Sequence, residues 1–356
     1  IPMLAYKHFN YIIDLKQGNL NLIDLVLNPF GYEEEVISSV NSKFFEANGT
    51  IKCPNTVPGE TGIVNGKKYE AVDRALLIQR RDEGADLTCV CTSLVTDMNS
   101  LFEGTSQNTN TFNQAIGNWD VSNVINMSGM FQFSIFNQEL KSWDVSNVTN
   151  MSLMFSGSLL CIDCKNKFNQ EIGNWNVGNV TDMSWMFGFS DFNQSLENWD
   201  VSNVKNMRGI FHESNFNKNI EKWNVSKVED MSRMFSRSPF NHPINSWNTS
   251  SVKDMNNMFQ GNIDKKTQFN QPLSTWNVNN VTNMLGMFEN SQFNQPIGDW
   301  NVSNVTNMSS MFRNANNFNQ NISNWCVSRF ATEPTQFSLN SALSAQNKPV
   351  WGTCPN

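Results

Sequence analysis

The sequence predicts a repeat solenoid. Coils of about 24 residues stack on one another, each with a short parallel β-strand and one helical or 3-10 turn, behind a small α+β N-terminal cap. Three observations carry this. A tryptophan recurs at positions 119, 143, 175, 199, 223, 247, 276, 300 and 325, in steps of 24, 32, 24, 24, 24, 29, 24 and 25 residues. Apolar residues keep fixed places within each step, in the first repeat Ile116, Trp119, Val121, Val124, Met127, Met130, Phe131 and Phe136. One phrase surrounds every tryptophan, most clearly Phe293-Asn-Gln-Pro-Ile297-Gly-Asp-Trp300-Asn-Val302-Ser-Asn-Val305-Thr-Asn-Met308-Ser-Ser-Met311-Phe312.

Within the coil, the alternation from Trp119 to Val121 predicts a half-buried strand. The spacings of Met-x-x-Met-Phe predict a helical or 3-10 turn, and Phe-Asn-Gln a return loop. A single coil orders too much backbone for the side chains it buries, so neighbours must cover both of its open faces.

Four regions follow. Residues 1–45 lack the repeat and form an N-terminal segment, an attachment domain or the tail of a preceding one, with helical spacing from Gly31 to Phe45. Residues 46–94 form the cap. Thr50 to Cys53 is strand-like, and Asn65-Gly66 suits the type I′ turn of a hairpin over Ile63 to Tyr69. Asp73 caps a helix from Arg74 to Glu83 that Gly84 ends. Residues 95–330 form the solenoid and 331–356 a C-terminal cap.

Two polar columns run through the repeats. The asparagine of Phe-Asn-Gln is invariant at Asn113, Asn137, Asn169, Asn193, Asn217, Asn241, Asn270, Asn294 and Asn319. It is expected to point inward and satisfy backbone groups that no regular ladder reaches. Asp120, Asp144, Asn176, Asp200, Asn224, Asn248, Asn277 and Asn301 follow the tryptophans and read as turn or edge chemistry.

The phrase Trp-Asp-Val-Ser-Asn-Val-Thr-Asn-Met-Ser-x-Met-Phe, with Phe-Asn-Gln upstream, resembles the repeat of the BspA-like leucine-rich repeat surface proteins. The likeness covers residues 95–330 and extends to the flanks at 59–98 and 333–355. It implies a leucine-rich-repeat-like solenoid, an extracellular place on a cell or particle surface, and adhesion or recognition. It implies no catalytic residues. The 32- and 29-residue steps, Thr249 for valine and Cys326 depart from its pattern.

Seven cysteines sit in three groups, which predicts disulfides Cys326–Cys354 and Cys53 with Cys89 or Cys91, stapling the two caps. Cys161 and Cys164, in the first insertion, read as a local clip rather than half a zinc site. The net charge of −7 speaks against nucleic acid, and no apolar run is long enough to span a bilayer. The first residue is not methionine and no export signal is present, so the chain reads as a mature or excised fragment. His212 and His242 read as exposed loop residues, and no catalytic, cofactor or metal motif is found, so the chain reads as a non-enzyme.

Both insertions, residues 156–167 and 260–268, fall in the loop between Met-Phe and Phe-Asn-Gln. Insertions of this kind often mark a binding face. Leu153 and Trp185, at the variable position before Met-Phe, are expected to join Phe133, Phe189, Leu159 and Leu160 in one apolar patch. The bland reading has these side chains packing beneath the first insertion. Two functions are therefore expected: recognition of a protein or polysaccharide on a cell or particle surface, or a structural role as spacer or decoration with possible self-assembly.

Overall fold

The structure, a computed structural model, describes residues 43–158, 165–264 and 266–355. The N-terminal segment through residue 42, and Leu159, Leu160, Cys161 and Cys164, lie outside the described residues.

Phe44 and Phe45, just before the expected boundary at residue 46, already belong to the cap. Phe44 is buried in it, and Phe45 opens β1 (Phe45–Ala47) rather than ending a helix. β1 pairs antiparallel with β2 (Thr50–Lys52) through Asn48-Gly49, both at positive φ as a type I′ turn demands. β3 (Thr61–Val64) and β4 (Lys67–Ala71) form the second hairpin, with Asn65 and Gly66 at its tip. β5 (Val90–Cys91) joins β4 in parallel. The Cys53–Cys91 disulfide closes a small core with Phe44, Ile51, Val64, Tyr69 and Ala71. Of the two pairings expected for Cys53, the structure has Cys91. Cys89 keeps a free thiol 3.2 Å from Asp86 Oδ2.

Helix α1 (Arg74–Asp82) starts where Asp73 accepts the N–H of Leu76, and Gly84 ends it at φ +71°. The helix buries Leu77 against the first coil. The cap is then bonded to the stack. The N–H of Ile51 donates to the carbonyl of Asn118 at 2.8 Å, and Lys52 pairs with Asp120 at 2.7 Å. Asp120 is buried, which opposes its charge. Hydrogen bonds from Lys52, Ser93 and Ser122 outweigh that and hold its carboxyl below the usual range.

The coils share one continuous core from Val72 to Leu343. Successive phenylalanines of Met-Phe stack at 5.6 Å (Phe131–Phe155) to 6.0 Å (Phe187–Phe211). The phenylalanines of Phe-Asn-Gln form a parallel column, and indoles stack at 6.5 Å for Trp119–Trp143 and 6.4 Å for Trp247–Trp276. Each indole N–H reaches back one coil to a backbone carbonyl, as Trp143 does to Ile116 and Trp223 to Leu196. A buried Trp needs such a partner.

The strand is not where the spacing places it, whereas the Met-x-x-Met-Phe segment does turn, though as successive single turns rather than a helix: the N–H of Met130 donates to Met127 at 3.2 Å and that of Gln132 to Gly129 at 3.0 Å. Trp119 to Val121 is followed at once by a turn, with the N–H of Val124 donating to Val121. The parallel contacts lie instead on the Met-x-x-Met-Phe segment. Met127, Gly129, Phe131 and Phe133 donate to Asn150, Ser152, Met154 and Ser156 of the next coil at 2.8–3.0 Å. Even there the pairing is limited to isolated parallel bridges such as Asn126 with Asn150 and Asn150 with Asp182. The cause is a left-handed residue every fourth place, Gly129 and then Phe133, which interrupts both strand and helix.

Polar side chains supply the remaining rungs. Oδ1 of each Phe-Asn-Gln asparagine accepts the backbone N–H of its successor, from Asn113 to Asn137 (2.9 Å) through Asn294 to Asn319 (3.1 Å). These asparagines are half-buried or exposed, not inward as expected, because the rung runs along the rim of the stack. The column after tryptophan closes Asx turns, as when Asp144 accepts the N–H of Ser146. A third column, absent from the sequence reading, sends the amide of Asn147, Asn179 and Asn203 back to the preceding coil.

At the far end residues 335–353 take the place of a further coil. Phe312, Asn314, Ile322 and Val327 donate to Phe337, Leu339, Asn347 and Thr353. The Cys326–Cys354 disulfide closes this cap, and Phe337 and Trp351 turn edge-on where the stacked rings end.

Candidate recognition face

The left-handed places of the coil form two adjacent columns along one face. The first holds Gly129, Leu153, Trp185, Gly209, Arg233, Asn257, Gly286 and Ser310, all at φ between +53° and +63°. The second includes Phe133, Phe189, Glu213, Arg237, Asn290 and Asn314, again at positive φ. This backbone is free of strain for glycine, whereas a bulky L-residue gives up about 1–2 kcal/mol in it. Glycine fills three places of the first column, and the others carry larger side chains despite that cost.

Four of the residues expected in an apolar patch lie on these columns. Leu153, Trp185, Phe133 and Phe189 are all half-buried. The rings of Trp185 and Phe189 stack at 6.0 Å with 3° between planes. Leu153 is one coil away from Trp185, with its N–H on the carbonyl of Ser184. Phe133 stands apart, because Gly157 occupies its column between it and Phe189. Leu159 and Leu160 lie outside the described residues.

The indole of Trp185 lies over the backbone of the next coil. A Cβ on Gly209 would stand 2.7 Å from its ring, and one on Gly188 3.0 Å. Those two glycines therefore make the floor on which the aromatic shelf rests. Beneath the shelf is His212, edge-on to Trp185 at 5.2 Å and to Phe189 at 4.9 Å. It is 4 % exposed, so the expectation of a loop histidine in solvent is overturned. His212 stands in a column of glutamine, serine, glycine, glutamate and arginine, and only its neighbours in space make it a core residue. His242, by contrast, is half-exposed, with a ring nitrogen 3.0 Å from the carbonyl of Asn217.

Burial, and then Arg233 and Arg237, push the His212 pKa down to about 3, so the ring is neutral. Glu213 lies 3.8 Å from its Nε2, beyond hydrogen-bond reach, and already binds Arg237 at 2.5 Å. The Nδ1 of His212 has no partner among the described residues. Arg233 is half-buried, and its pKa is lowered by burial and by Arg208 and Arg237. The face thus combines an aromatic shelf, a neutral imidazole and clustered guanidiniums. Among the described residues, no group of three or more His, Cys, Asp or Glu is placed to hold a metal ion. None of their helices is long and apolar enough to cross a membrane.

No curated protein and no solved structure matches the chain. The model of a family described as "Mycoplasma protein of unknown function, DUF285" matches three tandem stretches, residues 77–161, 160–268 and 240–351, which together span most of the cap-and-coil architecture. With its repeats arranged in this way, the chain belongs to the DUF285 family.

Proposed function

We propose that this chain is an extracellular recognition protein that binds a partner on a cell or particle surface through its left-handed columns. One observation carries the reading. At a place where glycine costs nothing, the chain keeps Leu153, Trp185, Arg233, Asn257 and Ser310. Side chains held in strained backbone cluster at functional sites, since folding alone would discard them. Trp185 is a rigid aromatic anchor of the kind that dominates binding surfaces.

The location draws on two further points. Disulfides at both ends of the stack suit an oxidising compartment. The repeat phrase is similar to that of the BspA-like leucine-rich repeat surface proteins, which implies adhesion by analogy of architecture.

The test is Trp185→Gly, which installs the residue that Gly129, Gly209 and Gly286 place at the same position. The purified chain and this variant are screened in parallel against immobilised cell-surface proteins and glycans. Binding should fall at least tenfold in the variant while its melting temperature drops by only a few degrees. A variant that binds as well as the parent would rule out this face.

A further inference from the structure

Beyond the aromatic shelf, the next two coils carry three guanidiniums, Arg208 on the first and Arg233 and Arg237 on the second. Arg237 is engaged by Glu213. Neither Arg208 nor Arg233 has a carboxylate within ion-pair distance among the described residues. The chain as a whole carries −7, so acidic partners for these two are not scarce. Leaving two like charges side by side, one of them half-buried, is unfavourable unless an anion joins them.

Their placement is specific. Trp185, Gly209 and Arg233 are successive members of one column, with backbone bonds from Trp185 to Arg208 and from Gly209 to Ser232 fixing their order. Bare Gly209 is the floor on which the indole lies, and Arg233 is the next residue of the same column, half-buried and close enough to Arg208 and Arg237 to feel their charge. The repeat offers simpler residues at both arginine positions. Glycine occurs at the place of Arg233 in other coils, and serine at the place of Arg208, as in Ser128, Ser152 and Ser184.

We propose that this surface binds an acidic saccharide: one pyranose ring lies with its C–H face on Trp185, beside Phe189, and its carboxylate or sulfate is held by Arg233 with Arg208. The assignment rests on the recognition reading above and specifies its ligand class. An indole face takes the apolar side of a single sugar ring, and two guanidiniums one coil apart take one compact anion rather than a polyanionic backbone. An extended peptide would need free backbone groups to pair with. Here the N–H groups of Trp185, Gly209 and Arg233 already donate to the next coil. His212, neutral beneath the shelf, neither competes for the anion nor adds to the charge that draws it.

The experiment titrates the purified chain with sialyllactose, a glucuronate-terminated disaccharide, 6-sulfogalactose and neutral lactose, by calorimetry at low and at physiological salt. At least one acidic sugar should bind ten or more times tighter than lactose, and more weakly as salt rises. Arg233→Gly and Arg208→Ser, both residues the repeat itself uses there, should each reduce that affinity at least fivefold. Circular dichroism would show the fold intact. Two arginine variants are used so that a misfolded one does not decide the matter. Equal affinity for lactose, or full affinity in both variants, overturns the acidic assignment even if Trp185→Gly abolishes binding, in which case the recognition face stands alone. Trp185-dependent capture of a protein with no sugar binding overturns the saccharide assignment as well. Sugar binding unaffected by Trp185→Gly removes both readings.

Discussion

His212 gives the face a measurable pH signature. Its folded pKa is about 3 against an ordinary 6.5, because burial and then Arg233 and Arg237 disfavour the imidazolium. Above pH 6.5 the ring is neutral in both states and its packing counts in full. Below that value the unfolded chain takes up a proton that the folded chain refuses, so stability drains away as pH falls toward 3. At 1.36 kcal/mol per unit, this amounts to roughly 2–3 kcal/mol between pH 6.5 and about 4.5. Urea unfolding at a series of pH values should show that slope, and His212→Gln should flatten it. An unchanged slope in the variant would mean that the carboxylates alone account for the acid sensitivity.

The coil is held as much by side-chain amides as by backbone. Asn193 accepts the N–H of Asn217 at 2.9 Å, and Asn169 accepts that of Asn193 at the same distance. Asn193→Ala should hand the Asn217 amide from its acceptor to water, at a cost of about 0.5–1.5 kcal/mol, and speed hydrogen exchange at that amide. Asn193→Asp keeps an accepting oxygen and should lose much less. Protection at Asn217 that survives the alanine would show that the rung is dispensable. The existence of this column was legible in the sequence because the asparagine never varies, and so were the aromatic columns, which follow from the period alone. What could not be read was where the chain extends and what kind of turn the methionines make. A period-two alternation over three residues, Trp119 to Val121, fits a turn as well as a strand. The helical spacing of Met127, Met130 and Phe131 says nothing of a left-handed residue between them, although the recurrence of glycine at 129, 209 and 286 was the available signal. The shelf of Trp185 and Phe189 could be anticipated, but its floor and His212 depend on which side chains neighbouring coils bring together.

At the scale of the whole molecule, each coil meets the next through the same bonds, so the stack should tolerate loss of a complete unit. Removing residues 277–300 joins Trp276 to Asn301 and deletes 24 residues in register, away from Trp185, Phe189 and the arginines beside them. The shortened chain should fold, with a cooperative thermal transition somewhat below that of the parent. Removing 12 residues from the same start should abolish that transition, because it sets the aromatic columns against the polar rungs. Equal behaviour of the two deletions would contradict register-dependent stacking.

The C-terminal closure has a consequence for how copies of this chain can crowd together. Head-to-tail growth of a filament needs an unoccupied template at both ends of the subunit. Residues 335–353 already occupy the groups that a following unit would use, and Phe337 and Trp351 stand crosswise to the stacked rings. Covering that one face is enough to stop growth by addition of a further coil there, so copies of this chain cannot lengthen the stack by templating on its last repeat.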